Sequence, residues 1–131
     1  MKDSTMKSFL KAVIPWVHWL AIPLIAAIMT LWPTVSSGTR MLQTDPGDTL
    51  LNAYFLEHAF RHLTSSNIFK PDLFWSPDFF WPVHNVKTWS DHLLGPSLIY
   101  GIARTLFAPL QAYAAWLVIT LTLNYASLRW A

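Results

Sequence analysis

A chain of 131 residues has room for one compact unit, and a content of 53% hydrophobic with only 12% charged residues lies outside the balance of soluble domains. The net charge of +2 is small and dispersed, and no Lys or Arg cluster forms a stripe that could track phosphates, which excludes nucleic acid as a partner. The lack of cysteine excludes a disulfide framework and a thiolate metal site, while eight Trp, eight Phe and four Tyr suit a boundary between apolar and wet surroundings.

Residues 12 to 33, AVIPWVHWLAIPLIAAIMTLWP, carry no formal charge and reach about 33 Å as a helix, enough to cross a hydrocarbon core of about 30 Å. This predicts a first transmembrane helix, with Pro15 tolerated in its first turn and a kink at Pro23. Trp16, Trp19 and Trp32 sit near its ends as interfacial anchors, and Lys2, Lys7 and Lys11 before it place residues 1 to 11 in the cytoplasm. The small residues of VSSG, 35 to 38, also suit a signal-peptide cleavage site. The apolar run is longer than the 7 to 15 residues or so of such a peptide and is interrupted by His18 and two prolines, which favours an uncleaved anchor. His18 is close enough to the cytoplasmic end to reach headgroups or a neighbouring helix.

The region from 34 to 109 then falls outside the cytoplasm and has three parts. DPGDTLLNAYFLEHAFRHL, 45 to 63, reads as a juxtamembrane amphipathic helix, with Asp45 as cap, Pro46 at the first helical position and Asp48 three residues after the cap. FKPDLFWSPDFFWPVHNVKTW, 69 to 89, is punctuated by Pro71, Pro77 and Pro82 and reads as irregular. SDHLLGPSLIYGIARTLFAP, 90 to 109, suits an interfacial helix capped by Ser90 or Asp91, too short to span and carrying Arg104. LQAYAAWLVITLTLNYASL, 110 to 128, lacks formal charge and reaches about 28 Å, a second transmembrane helix closed by Arg129 in a cytoplasmic tail of 129 to 131. Thr120, Thr122 and Asn124 give it a polar stripe suited to contact with further helices, and the abrupt stop at Ala131 suggests a truncated reading frame or the first piece of a longer protein. The expected fold is all-α integral membrane, two transmembrane helices joined by the extracytoplasmic region.

The chemistry-bearing residues concentrate in that region. On a helical wheel Asp48, Asn52, Phe55, Ala59 and His62 share one stripe, while Glu57 points away and is placed to pair with Arg61 at i, i+4. Asp48 has two readings. As a capping acid the helix N-terminus weakens it as a base, whereas partial burial at a membrane surface strengthens it. His58 and His62 have the spacing of a metal pair without a third ligand fixed by spacing, so structural histidines are the plainer account. Phe74, Trp75, Phe79, Phe80, Trp81 and Trp89 suit packing on headgroups or on other helices, with Trp81 as the alternative of a sugar-stacking platform.

In combination, a first membrane helix, PGDTLLNAYFLEHAFRHL, LFWSPDFFWPVHNVKTWSDHLLGPSLIY and a second membrane helix resemble the N-terminal part of bacterial polytopic membrane proteins of the GT-C glycosyltransferase superfamily, over residues 12 to 131. The resemblance implies a place in a bacterial cytoplasmic membrane and transfer of a sugar from a polyprenyl-phosphate carrier to an extracytoplasmic acceptor. It implies that Asp48 acts as general base or holds a divalent cation such as Mg²⁺ or Mn²⁺, and that Asp91 in WSDHLLG orients acceptor or metal. Asn52, His62, Trp81 and His92 are the accompanying candidates for substrate binding. Such enzymes build their cleft from many helices, so the chain alone is expected to be inactive and to need further transmembrane helices. The rival expectation is a small non-enzymatic two-helix protein that docks onto a larger membrane partner.

Overall fold

The computed structural model describes residues 2 to 42, 46 to 89 and 92 to 131, and all their regular structure is helical. Five α-helices occur in the order α1 (Lys2–Ser36), α2 (Pro46–Thr64), α3 (Pro71–Trp75), α4 (Leu94–Leu106) and α5 (Pro109–Trp130). Two 3₁₀ turns, Asp78–Phe80 and Val86–Trp89, lie between α3 and α4.

The helix α1 continues through Pro23 and Pro33 and stops at a defined cap. Gly38, with φ of +64°, donates its N–H to the Val35 carbonyl at 3.1 Å, and Thr39 donates to Thr34 at 2.8 Å. That pair of reversed bonds is the left-handed helix ending that glycine permits at no steric cost. Within α1, Val17–Ser36 is long and apolar enough to cross a membrane, and among the described residues no other helix is. The helix α5 has the length, at 22 residues, but Gln111, Thr120, Thr122 and Asn124 dilute its apolar run. It opens on Pro109, with the Gln111 side-chain oxygen accepting the Ala108 N–H at 3.2 Å.

The two long helices pack antiparallel. Trp19 meets Tyr125 edge to face at 5.6 Å near one end, and Trp32 and Pro33 share a cleft with Tyr113 and Trp116 near the other. Both contacts lie on opposite sides of about 20 Å of helix. The core proper is formed where α2 and α4 lean on the start of α5: Leu56, Tyr100, Ala103, Ala112, Tyr113 and Trp116 are buried there. At Gly101 α4 lies beside Phe60 of α2, where a Cβ would meet the ring at 3.9 Å in an ordinary contact. The outer face of α4 remains apolar, with Leu98, Ile102 and Leu106 exposed one turn apart.

Two boundaries differ from the sequence expectation. The fourth helix begins at Leu94 rather than at Ser90, because Leu93 takes a left-handed conformation with φ of +51° and His92 Nδ1 accepts the Leu94 N–H at 3.2 Å. Asp45, Ser90 and Asp91, expected as caps, lie outside the described residues. The segment expected to be irregular folds into α3 and the two turns, which meet α2 through the buried Phe74 and Lys87.

Candidate functional site

The first turns of α2 face α1 and α5, and the space between the three helices is a cleft of about 600 Å³. Its walls are Thr30, Trp32 and Pro33 from α1, Asp48 and Asn52 from α2, and Tyr113 and Trp116 from α5. Thr49, hydrogen-bonded through its side chain to Tyr113, pins α2 against α5 at this point. Asp48 also borders a second groove of about 510 Å³, walled mainly by Leu50, Leu51, Tyr54 and Phe79. One exposed carboxylate therefore stands where a partly polar cleft meets an apolar groove. Trp116 is 7% exposed, and its indole N–H has no partner among the described residues. A buried donor of this kind costs free energy until something accepts from it, and it lines the same cleft as the carboxylate.

The stripe expected along α2 divides between two neighbours. Asp48 and Asn52 reach the cleft, whereas Phe55 and Ala59 are buried and His62 packs edge to face on Phe74 at 5.4 Å, away from the cleft. His92 caps α4 and meets the Trp75 ring at 5.7 Å, so it too serves local structure. Trp81 is 80% exposed and lines neither the cleft nor the groove. Asp91 lies outside the described residues. No group of three His, Asp or Glu side chains close enough to hold a metal occurs among the described residues. One carboxylate and one amide in the cleft fall short of a divalent-cation site, so no step below is routed through a cation.

Comparison with known proteins found no matching family model, no similar curated protein and no similar solved structure.

Two further charged centres surround α2. Glu57 accepts from Arg61 Nε at 2.8 Å, as its i, i+4 spacing predicts, and also from Tyr100 Oη at 2.7 Å and Arg104 Nε at 3.0 Å across the interface with α4. Burial pushes its carboxyl upward, but the hydrogen bonds from Arg104, Arg61 and Tyr100 outweigh burial and hold it below its ordinary range. Lys87 is the contrasting case. Its side chain is 0% exposed, its ammonium sits 3.8 Å from the Phe74 ring centre and 5.7 Å from that of Phe55, and no acceptor among the described residues reaches it. Burial brings the Lys87 ammonium down to about 8. Burial, then the Lys87 charge and then His62, bring His58 down to about 4.

Sequence reasoning missed Tyr113 and Trp116 because they sit within an apolar run. The signal was present in the spacing of Ala112, Tyr113 and Trp116, which share one helix face and are all buried. Lys87 carried no comparable signal, since a lysine in a polar turn reads as solvated.

Proposed function

We propose that the chain forms part of a polytopic membrane glycosyltransferase of the GT-C kind, which moves a sugar from a polyprenyl-phosphate carrier to an acceptor outside the cytoplasm. The observation that carries this reading is the place of Asp48, at the meeting of the partly polar cleft and the apolar groove. A lipid-linked substrate needs both surroundings at one point: apolar walls for the carrier chain and polar groups for the sugar and the acceptor. In this reading Asp48 accepts the proton of the acceptor hydroxyl as that oxygen bonds to the anomeric carbon. The bond from the anomeric carbon to the carrier phosphate breaks, and the phosphate leaves with the electron pair. Asn52 and the Trp116 indole N–H hold sugar hydroxyls, and Trp32 and Tyr113 supply flat apolar faces.

The membrane placement follows the same logic. Only 24% of Val17–Ser36 is buried within the chain, where a core helix of a soluble protein would be mostly covered. The antiparallel run of α5 beside α1 from Trp19 to Pro33 supports the proposal that α5 crosses with α1, with 34 to 109 together on one side. The positive-inside bias of Lys2, Lys7 and Lys11 supports an extracytoplasmic side for that region, and the bacterial cytoplasmic membrane belongs to the proposal through the family resemblance. Two helices do not enclose a carrier, so the reading requires further transmembrane helices against α1 and α5.

The test is Asp48→Asn in membranes that contain the chain together with those helices. Loss of sugar transfer at normal expression is expected, and full turnover in the variant would remove the proposal. The second reading, a non-enzymatic protein docked onto a membrane partner, is favoured by Asn124, a polar side chain exposed on α5. Under that reading Asp48→Asn leaves function intact and Asn124→Leu abolishes partner capture in crosslinking.

A further inference from the structure

Among the described residues nothing accepts from the buried Lys87 ammonium of the 69 to 89 segment, and its surroundings suggest what supplies a counter-charge. An uncompensated ammonium out of water is expensive, and the faces of Phe74 and Phe55 soften that cost without neutralising the charge. The Phe74 ring touched by Lys87 also meets His58 at 6.3 Å and His62 at 5.4 Å. Both histidines line a hollow of about 260 Å³ together with Arg61, Ser65, Asn67 and Leu73, and no acid is among these residues. Among the described acids, Glu57 is taken by Arg61, Arg104 and Tyr100, while Asp72 and Asp78 are exposed and outside the lining, Asp78 lying close enough for its charge to act on His58.

The end of α2 would ordinarily repel a negative charge through its free carbonyls. Here those of Phe60, Arg61 and His62 already accept from the hydroxyls of Thr64 and Ser65. His58 donates to the Leu73 carbonyl, and its Nδ1 has no partner among the described residues. The guanidinium of Arg61 gives Glu57 its Nε–H and is 73% exposed, so its terminal N–H groups face outward. Arg61, Asn67 and the two histidines thus border one hollow, and three carbonyls in the last turns of α2 are already covered.

We propose that this hollow binds a phosphate group, held by Arg61, Asn67 and the two histidines, with Lys87 as the buried charge behind them. The site lies about 15 Å along α2 from Asp48 and shares no residue with the cleft, so it stands independently of the transferase reading. A bound dianion favours the protonated forms of His58 and Lys87, so binding takes up protons. The phosphate has two sources, a free solute or a lipid headgroup.

The experiment uses the full chain in nanodiscs of zwitterionic lipid, with ¹⁵N-labelled histidine. One arm titrates inorganic phosphate, and the other adds phosphatidic acid to the bilayer in phosphate-free buffer. A saturable shift of the His58 and His62 signals in the first arm identifies a free phosphate, and a shift in the second arm alone identifies a headgroup. Lys87→Met is expected to weaken binding by about tenfold or more, and Asp48→Asn to leave it unchanged. Should Lys87→Met fail to fold, Arg61→Gln at the exposed position decides, with a severalfold loss expected at unchanged helicity. No saturable shift in either arm, or wild-type affinity in the deciding variant, overturns the site.

Discussion

Glu57 and Lys87 are both drawn into the packing around α2, one toward α4 and the other within the loop of 69 to 89, and among the described residues only Glu57 meets its opposite charge. At the α4 side a carboxylate 16% exposed has Arg61, Arg104 and Tyr100 within 3.0 Å, so every nearby charge and the Tyr100 hydroxyl are answered. At the loop side the ammonium has two aromatic rings and two histidines. The first arrangement fixes how two helices meet. The second leaves a deficit that the loop tolerates, which is how a region adapted to bind differs from one adapted only to hold.

Lys87→Met breaks the contrast most directly. A methionine keeps the length of the side chain and its contact with Phe74 while removing the uncompensated charge. We expect a gain of about 1 to 4 kcal/mol in unfolding free energy in phosphate-free buffer, read by circular dichroism in micelles. A loss would mean that the ammonium already has a partner. Glu57→Ala should act in the opposite direction, because the hydroxyl of Tyr100, itself 1% exposed, is left without an acceptor, at a cost of about 1 to 3 kcal/mol. Tyr100→Phe in the Glu57→Ala background should then recover part of that loss, and additivity of the two changes would show that the hydroxyl does not need the carboxylate.

Acidification should separate the two sides. A base whose folded value lies below its unfolded one contributes stability above the unfolded value and loses it as pH falls toward the folded value. The loop side therefore weakens between 10.5 and about 8 through Lys87, and again between 6.5 and about 4 through His58. Glu57, held below its ordinary 4.5, keeps its contribution until the pH falls below 4.5 toward its folded value. Hydrogen exchange at pH 5 should thus show 71 to 89 opening while 94 to 106 stays protected. Equal protection of both would put the histidine outside the packing.

The extent to which this was legible in the sequence follows the range of the interactions. The apolar runs and the opening Pro46 marked α2 and α5 to within two residues and the C-terminal end of α1 to within three, because each is a local signal, whereas α1 begins at Lys2, ten residues before its apolar run. The Glu57 to Arg61 pair was legible for the same reason, at four residues' separation. Arg104 and Tyr100 lie 47 and 43 residues from Glu57, and nothing local tells a helix which distant face it will meet. Asp48 and Asn52 were found from their shared stripe, but the aromatic wall opposite them comes from another helix. Lys87 was least legible, since a proline-rich segment gives no period from which an inward-facing residue can be read.

The smallest expected effect tests whether the α4 side is held by its long-range partners. Arg61 is 73% exposed, so its ion pair with Glu57 is screened by water and costs side-chain entropy to hold. Arg61→Ala should therefore lower stability by only about 0.3 to 0.5 kcal/mol, and added salt should erase most of the difference. Tyr100 and Arg104 continue to hold the carboxylate in its absence, so the α2 to α4 contact stays closed. A loss several times larger, insensitive to salt, would mean that Arg61 is what aims Glu57 at α4. The local pair legible in the sequence would then be the foundation of the long-range network that is not.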